Sequence, residues 1–397
     1  MTADRPKLRK LDRHRLRRGG EELLVLRDPL GVADPVALPA AAAPILDLLD
    51  GQRSAAQIRH SLLLRGAASF PADAIAELIA DLGAAGLLDD DAFRARWAAL
   101  LRDFLAAPIR RPAHADVLYP GDPAALRGIL GEILGEPGSR VMRGSRLCGV
   151  VAPHQPFDRA AAVLDATLRE LPPAEEIDLV VVLGTDHHPG LVPYVLTDKP
   201  HATPLGELPI AASLVAELSE RLPWLRREEI RHRQAISVEL AAVLLAHLYP
   251  SPPPIVPILC GQTALASGEG SQAADDLMAA LERLLAGKRV LWWASAELTH
   301  AGPAYGGQPL LAGAAEAIIA RDRWLIDPLL RGQPEALARR MIGEDDALGR
   351  PSGAAVLVTL ARLLPLGVRG EVARHLVLPA PGGEDGLAGL LGVQLRG

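Results

Sequence analysis

Cysteine is scarce in this chain. Cys148 and Cys260 are the two it has, too few for a disulfide framework or a cysteine-based zinc cluster. Both lie in apolar, strand-like runs, which suits buried thiols. Aromatic residues are also few, 3% of 397, which argues against a stacking platform for single-stranded nucleic acid. No apolar stretch approaches the roughly 20 residues that a membrane helix needs, and no signal-peptide core opens the chain. No membrane partner is expected, and a reducing cytoplasm is the default setting. The formal charge of −6 provides no global attraction to nucleic acid, so nucleic acid is not expected as a partner either.

What is present is apolar. A hydrophobic content of 49% over this length is enough for two or three domains with real cores. Charge is placed unevenly: residues 1–20 hold eight Lys or Arg against two Asp, ending in Arg13, Arg15, Arg17 and Arg18. Such a run is either a solvated arm or edge strand, or a basic contact for an acidic peptide or a phosphate.

Residues 21–103 form one compositional unit. A strand over 22–27 precedes a short helix that reaches Leu49 and stops at Asp50-Gly51. Ser54 caps a helix over 55–64, and Pro71 opens another over 72–85, whose Ile75, Leu78, Ile79 and Leu82 make one apolar face. Gly86-Leu87-Leu88 reads as a short closing strand. This order fits a small winged-helix domain over 1–105, with 106–112 as a proline-bounded linker.

Beyond it strands and helices alternate. The pattern predicts strands at 148–153, 178–184, 254–260, 289–295, 371–378 and 390–395, and helices at 123–135, 158–171, 210–222, 235–248, 271–286, 311–330 and 353–364. That alternation implies an α/β domain over 113–397, a mixed sheet flanked by helices on both faces.

Two of the buried-strand runs end in histidine: Val150-Val151-Ala152-Pro153-His154, and Leu179 to Gly184 followed by Thr185-Asp186-His187-His188. Open α/β sheets bind ligands at the carboxyl edge of their parallel strands, so these histidines should face one crevice. Pro153 cannot donate to a ladder, which places His154 in the turn. Successive side chains point oppositely on an extended chain, so one of His187 and His188 should enter a shared site. A third strand, 290–295, is followed by Glu297 and His300. Imidazoles with a carboxylate form the facial triad of non-haem iron(II), and zinc accepts the same ligands. Each residue also has a plainer reading: a strand-end histidine as a bonded loop residue, Glu297 as a cap or salt-bridge partner, His300 as a surface residue.

Two resemblances extend this. The run "LPAAAAPILDLLDGQRSAAQIRHSLLLRG", continued by "PADAIAELIADLGAAGLL", resembles the PqqD-like winged helix, which implies recognition of a peptide or a partner over about residues 8–105. The segments "APHQPF", "GTDHHPG", "AISVE" and "ASAELTHAG", with the opening "ADVLYPGDPAALRGIL" and the strand "PIVPILCG", resemble the Memo family, including the B protein of the AmmeMemoRadiSam system. This second resemblance covers about 113–397 and implies a class III extradiol dioxygenase-like fold. Radical-SAM and AMMECR-type proteins are the partners it implies.

Carried over by motif, the Memo resemblance selects His187 of the adjacent pair. It implies His154, His187 and Glu297 as ligands for iron(II), copper or zinc, and His300 with Glu297 as the acid/base group of a metal-dependent oxidoreductase. His188, Asp186, Gln234 and Glu239 would line the pocket, although Glu239 reads equally as a charge on a helix face. The chain departs from the family pattern in two places. Leu348 stands where the family has a ligand cysteine, and Ala235 and Ile236 replace the Glu and His of the "EHSxE" segment. A non-catalytic adaptor or leader-peptide scaffold is the alternative these departures imply.

Overall fold

A computed structural model describes residues 5–18, 20–66, 70–188, 190–265, 269–343, 351–380 and 385–397. The described residues divide into two compact units, one of 5–106 with Pro303–Gly306, the other of the remaining residues from Ala107 onward.

The smaller unit carries an antiparallel sheet in the order β1-β2-β3, formed by β1 (Asp12–Arg18), β2 (Glu21–Arg27) and β3 (Val36–Pro39). Helices α1 (Ala43–Leu46), α2 (Ala55–Leu64), α3 (Ala72–Ala84) and α4 (Asp91–Ala106) follow. Ser54 and Gln57 close a capping box at the start of α2, each side chain bonding the other's backbone N–H. Ile75 and Leu82 of α3 join Leu24, Leu26, Ile58 and Leu62 in the core, with Leu78 and Ile79 packed against it. The predicted closing strand at 86–88 is reduced to one bridge, Leu8 to Leu88.

The larger unit begins with α5 (Pro123–Leu134), capped by Asp122, whose carboxylate accepts from the Ala125 N–H at 2.8 Å. There follow β4 (Leu147–Ala152), α6 (Phe157–Thr167), β5 (Leu179–Thr185), β6 (Tyr194–Leu196), β7 (His201–Thr203) and β8 (Gly206–Leu208). Then come α7 (Ala212–Arg221), α8 (Ile236–Leu248), β9 (Ile255–Cys260), α9 (Glu269–Leu285), β10 (Val290–Ser295) and β11 (His300–Ala301). The last elements are α10 (Ala314–Leu330), α11 (Pro334–Ile342), α12 (Ala354–Leu363), β12 (Arg369–Pro379) and β13 (Leu387–Arg396).

Among the described residues eight of these strands build one sheet, β11-β13-β4-β10-β5-β9-β6, with β12 also on β13, while β7 and β8 pair separately. β4, β10, β5 and β9 are mutually parallel, while β6, β11, β12 and β13 pair antiparallel. The sheet is mixed, as expected. All seven residues of β5 are buried, which is why this central strand reads as an unbroken apolar run. The predicted helix over 158–171 ends at Thr167, because Glu170 takes a positive φ and Pro172-Pro173 cannot continue a helix. No helix among the described residues is long and apolar enough to cross a membrane.

Candidate functional site

β10 lies between β4 and β5 in the parallel core. The chain leaves all three strands at the same carboxyl edge, so His154, His187 and the 297–300 segment emerge together. The geometry of this edge begins at Pro153. The Ala296 N–H still donates to Ala152 O at 3.1 Å, but one residue further on the ladder is replaced by a side chain. The His154 N–H donates to Glu297 Oε1 at 3.0 Å.

The other carboxylate oxygen, Oε2, accepts from Gln155 Nε2 at 2.8 Å and lies 3.1 Å from His300 Nε2. Glu297 is 2% exposed. Burial pushes its carboxyl up, but His154, His300 and Gln155 outweigh that, and it titrates below the ordinary carboxylate range. Burial likewise opposes the imidazolium of His300, yet the bond to Glu297 outweighs it and raises His300 above the usual histidine value. Its ring keeps 20% exposure.

His154 and His187 meet through their rings, with the two Nε2 atoms 2.9 Å apart and the ring planes inclined by 60°. His154 is buried while His187 retains solvent access. Desolvation by the atoms packed around each ring holds both below the ordinary histidine value, with His300 adding to the effect at His154 and His154 to that at His187. Neutral rings in this arrangement either share one proton or turn both lone pairs on one cation. Metal–imidazole bonds of about 2.0–2.1 Å meeting at a right angle leave the nitrogens about 2.9 Å apart. With the ring centroids 5.1 Å apart the two nitrogens point almost directly at one another, the geometry of a shared N–H···N proton; each ring would have to turn for both lone pairs to face one divalent ion.

Glu297 is brought to this pair, but its oxygens are engaged by the His154 backbone, Gln155 and His300. Among the described residues no three His, Cys, Asp or Glu side chains gather as a metal-binding group. Leu348 lies outside the described residues.

The remaining predicted residues have other partners. Asp186 pairs with Arg231 through one oxygen, and its other oxygen accepts from the His188 N–H at 2.9 Å. The His188 ring nitrogen Nδ1 is 3.4 Å from that same oxygen. Arg231 in turn donates to Val192 O at 3.0 Å. The backbone carbonyl of Gln234 lies 3.2 Å from His114 Nε2.

Glu239 is enclosed, 1% exposed. It pairs with Arg110 at 2.5 Å and accepts from the backbone N–H groups of Ala113 and His114 and from the Tyr119 hydroxyl. This carboxylate pins the 110–119 segment to α8. Gln155, Arg231 and Arg110 are the contributors that the sequence reading passed over. Gln155 had a signal in directly following His154; Arg231 and Arg110 had none.

A family model described as Memo-like protein matches residues 110–374. The chain is similar to a MEMO1 family protein of Aquifex aeolicus, 25% identical over 62% of this chain and 64% of that one. It is 28% identical to a MEMO1 family protein of Thermus thermophilus over 83% of this chain and 95% of the relative. A third MEMO1 family protein, from Methanopyrus kandleri, is 28% identical over 49% of this chain and 70% of its own length. The match to the Aquifex relative spans a little under two thirds of that protein.

Proposed function

The chain belongs to the Memo-like protein family, and on that premise we propose that its larger unit binds a divalent metal ion through His154 and His187 and acts as a metal-dependent redox protein. The observation that carries this reading is the 2.9 Å approach of the two Nε2 atoms beside an ionised Glu297. Bound there, iron(II), copper or zinc would supply a Lewis acid, and iron or copper a one-electron couple as well.

The chain's own residues then have distinct work. His154, neutral and buried, keeps its lone pair available. Glu297 anchors the His154 backbone and stabilises the charged form of His300. His300, with its ring partly open, donates a proton to a group in the cleft and takes one back from solvent. Gln155 holds Glu297 in register for both contacts.

The assignment extends, as part of the same proposal, to the B component of the AmmeMemoRadiSam system, with radical-SAM and AMMECR-type partners. The smaller unit would serve as a PqqD-like winged helix that recognises a peptide or partner. Metal analysis of anaerobically purified protein against a His154→Ala/His187→Ala double variant tests the metal reading. Iron, copper or zinc is expected in the wild type, and a content no higher than the double variant's overturns it.

A second reading, a non-catalytic scaffold, is favoured by one observation: no third ligand joins the pair among the described residues. Metal retention without any redox activity toward oxygen or a chemical reductant would select it.

A further inference from the structure

The strands that carry His154 and Glu297 at their carboxyl ends open, at their amino ends, onto a cavity of about 720 Å³. The start of β4, at Leu147 and Cys148, and the start of β10, at Val290 to Trp292, form one side of it; the ends of α9 and α12 form the other. It shares no residue with the histidine site.

We propose that this cavity is a second ligand site, for an amphipathic anion with one carboxylate or phosphate head on an aliphatic body. Its volume lies within the roughly 300–1,000 Å³ range of small-molecule sites. Met278, Leu285, Trp292 and Leu364 supply apolar lining, and Leu366 beside them is fully exposed. An uncovered leucine beside apolar lining gains when a hydrocarbon body covers both.

The rim carries Arg146, Lys288, Arg289 and Arg362 together with the carboxylates Glu176 and Glu282. Arg289 is committed to Asp178 at 2.6 Å, and Arg362 to Asp275. Arg146 donates to the Gly397 carbonyl at 2.8 Å. The Lys288 ammonium makes no hydrogen bond or ion pair among the described residues, and only a longer-range attraction reaches it from Asp178. A rim lysine left over beside apolar lining is complementary to one anionic head on one apolar tail.

Cys148 provides a local reporter. It lines the cavity and is partly exposed, whereas Cys260 is buried elsewhere in the core. The full chain is titrated calorimetrically with dodecanoate, with dodecyl phosphate and with dodecan-1-ol, each below its aggregation limit, while alkylation of Cys148 is followed by mass spectrometry at alkaline pH. Saturable one-to-one binding of at least one anion is expected, with Cys148 alkylation slowed several-fold, and the stronger anion identifies the head group. The alcohol and the exposed-site variant Lys288→Glu should each weaken binding about tenfold, the effect of losing one charge-assisted contact. Leu366→Ser, also on the surface, should weaken it several-fold. Absence of saturable binding overturns the proposal. So does binding that leaves Cys148 unprotected, ignores Lys288→Glu, or is equalled by the alcohol.

Discussion

Glu297 Oε2 and His300 Nε2 lie 3.1 Å apart, and the pair is built so that each holds the other in its charged form. Glu297 is depressed and His300 raised, and these two shifts stabilise the fold over different pH ranges. The raised His300 contributes stability that is complete below the unfolded histidine value and is lost as pH rises through its folded value. The depressed Glu297 contributes stability present above the unfolded carboxyl value and lost as pH falls through its folded value. The contribution of the pair is therefore greatest between ordinary carboxyl and ordinary histidine titration.

Removing the charge of Glu297 shifts the balance at His300. In metal-free protein, Glu297→Gln is expected to lower the His300 midpoint, because burial is then opposed only by the Leu298 carbonyl and by Asp322. A histidine-resolved NMR titration reads this directly, and an unmoved midpoint would show that Glu297 does not set the charge of His300.

Metal should stabilise the folded chain measurably. At a free zinc concentration of a hundred times Kd, the expected gain is about 2.7 kcal/mol, seen as a rise in Tm that His187→Ala abolishes. Glu297→Gln, which leaves both imidazoles in place but loosens the turn that aims His154, should weaken metal binding by about 10–100-fold. Equal zinc-dependent shifts in wild type and His187→Ala would remove the histidine pair from consideration.

Glu239 supports the structure of the 110–119 segment. With both charges of the Arg110–Glu239 pair 1% exposed, Glu239→Ala leaves the buried Arg110 without its counter-charge and two backbone N–H groups without their acceptor. The cost expected is about 3–5 kcal/mol, measured by urea unfolding. Burial raises the Glu239 carboxyl, and Arg110, Tyr119 and the Ala113 N–H together lower it further. Its stabilisation is thus present above the unfolded carboxyl value and fades as pH falls through the folded one, so the wild type and Glu239→Ala should converge in acid. A variant as stable as the wild type at neutral pH would count against this role.

Gly184 allows α8 to approach the end of β5. A Cβ there would lie 2.6 Å from Val238 Cγ2 and 2.7 Å from Ser237 Oγ, beside the bond from Ser237 to Thr185 O at 2.7 Å. Gly184→Ala should cost about 1–3 kcal/mol of stability and weaken metal binding through displacement of the turn bearing His187. Chemical denaturation and zinc titration of the same variant check both effects, and unchanged values in both would contradict the close packing.

Much of the larger unit was legible as pattern. The apolar run that opens β5 and the long apolar stretch of α8 are visible in the chain itself, and Pro153 marks the end of β4 by having no N–H to donate. Short elements were missed. β7, β8 and β11 are two or three residues long, too brief for a period to register, and pairing defines them.

The sequence by itself determined which strands are apolar, that His154 and His187 follow two of them, and that Glu297 and His300 follow a third. These are consequences of local propensity and alternating burial, which a linear chain displays. Only the tertiary structure decided how the side chains divide their bonds: Glu297 to the His154 backbone 143 residues away, Glu239 to the segment about 125 residues before it, Asp186 to Arg231. Each is a choice among polar groups that compete for one buried partner. That competition is settled by which atoms packing brings within about 3 Å, a property of the assembled sheet and helices that no local stretch encodes.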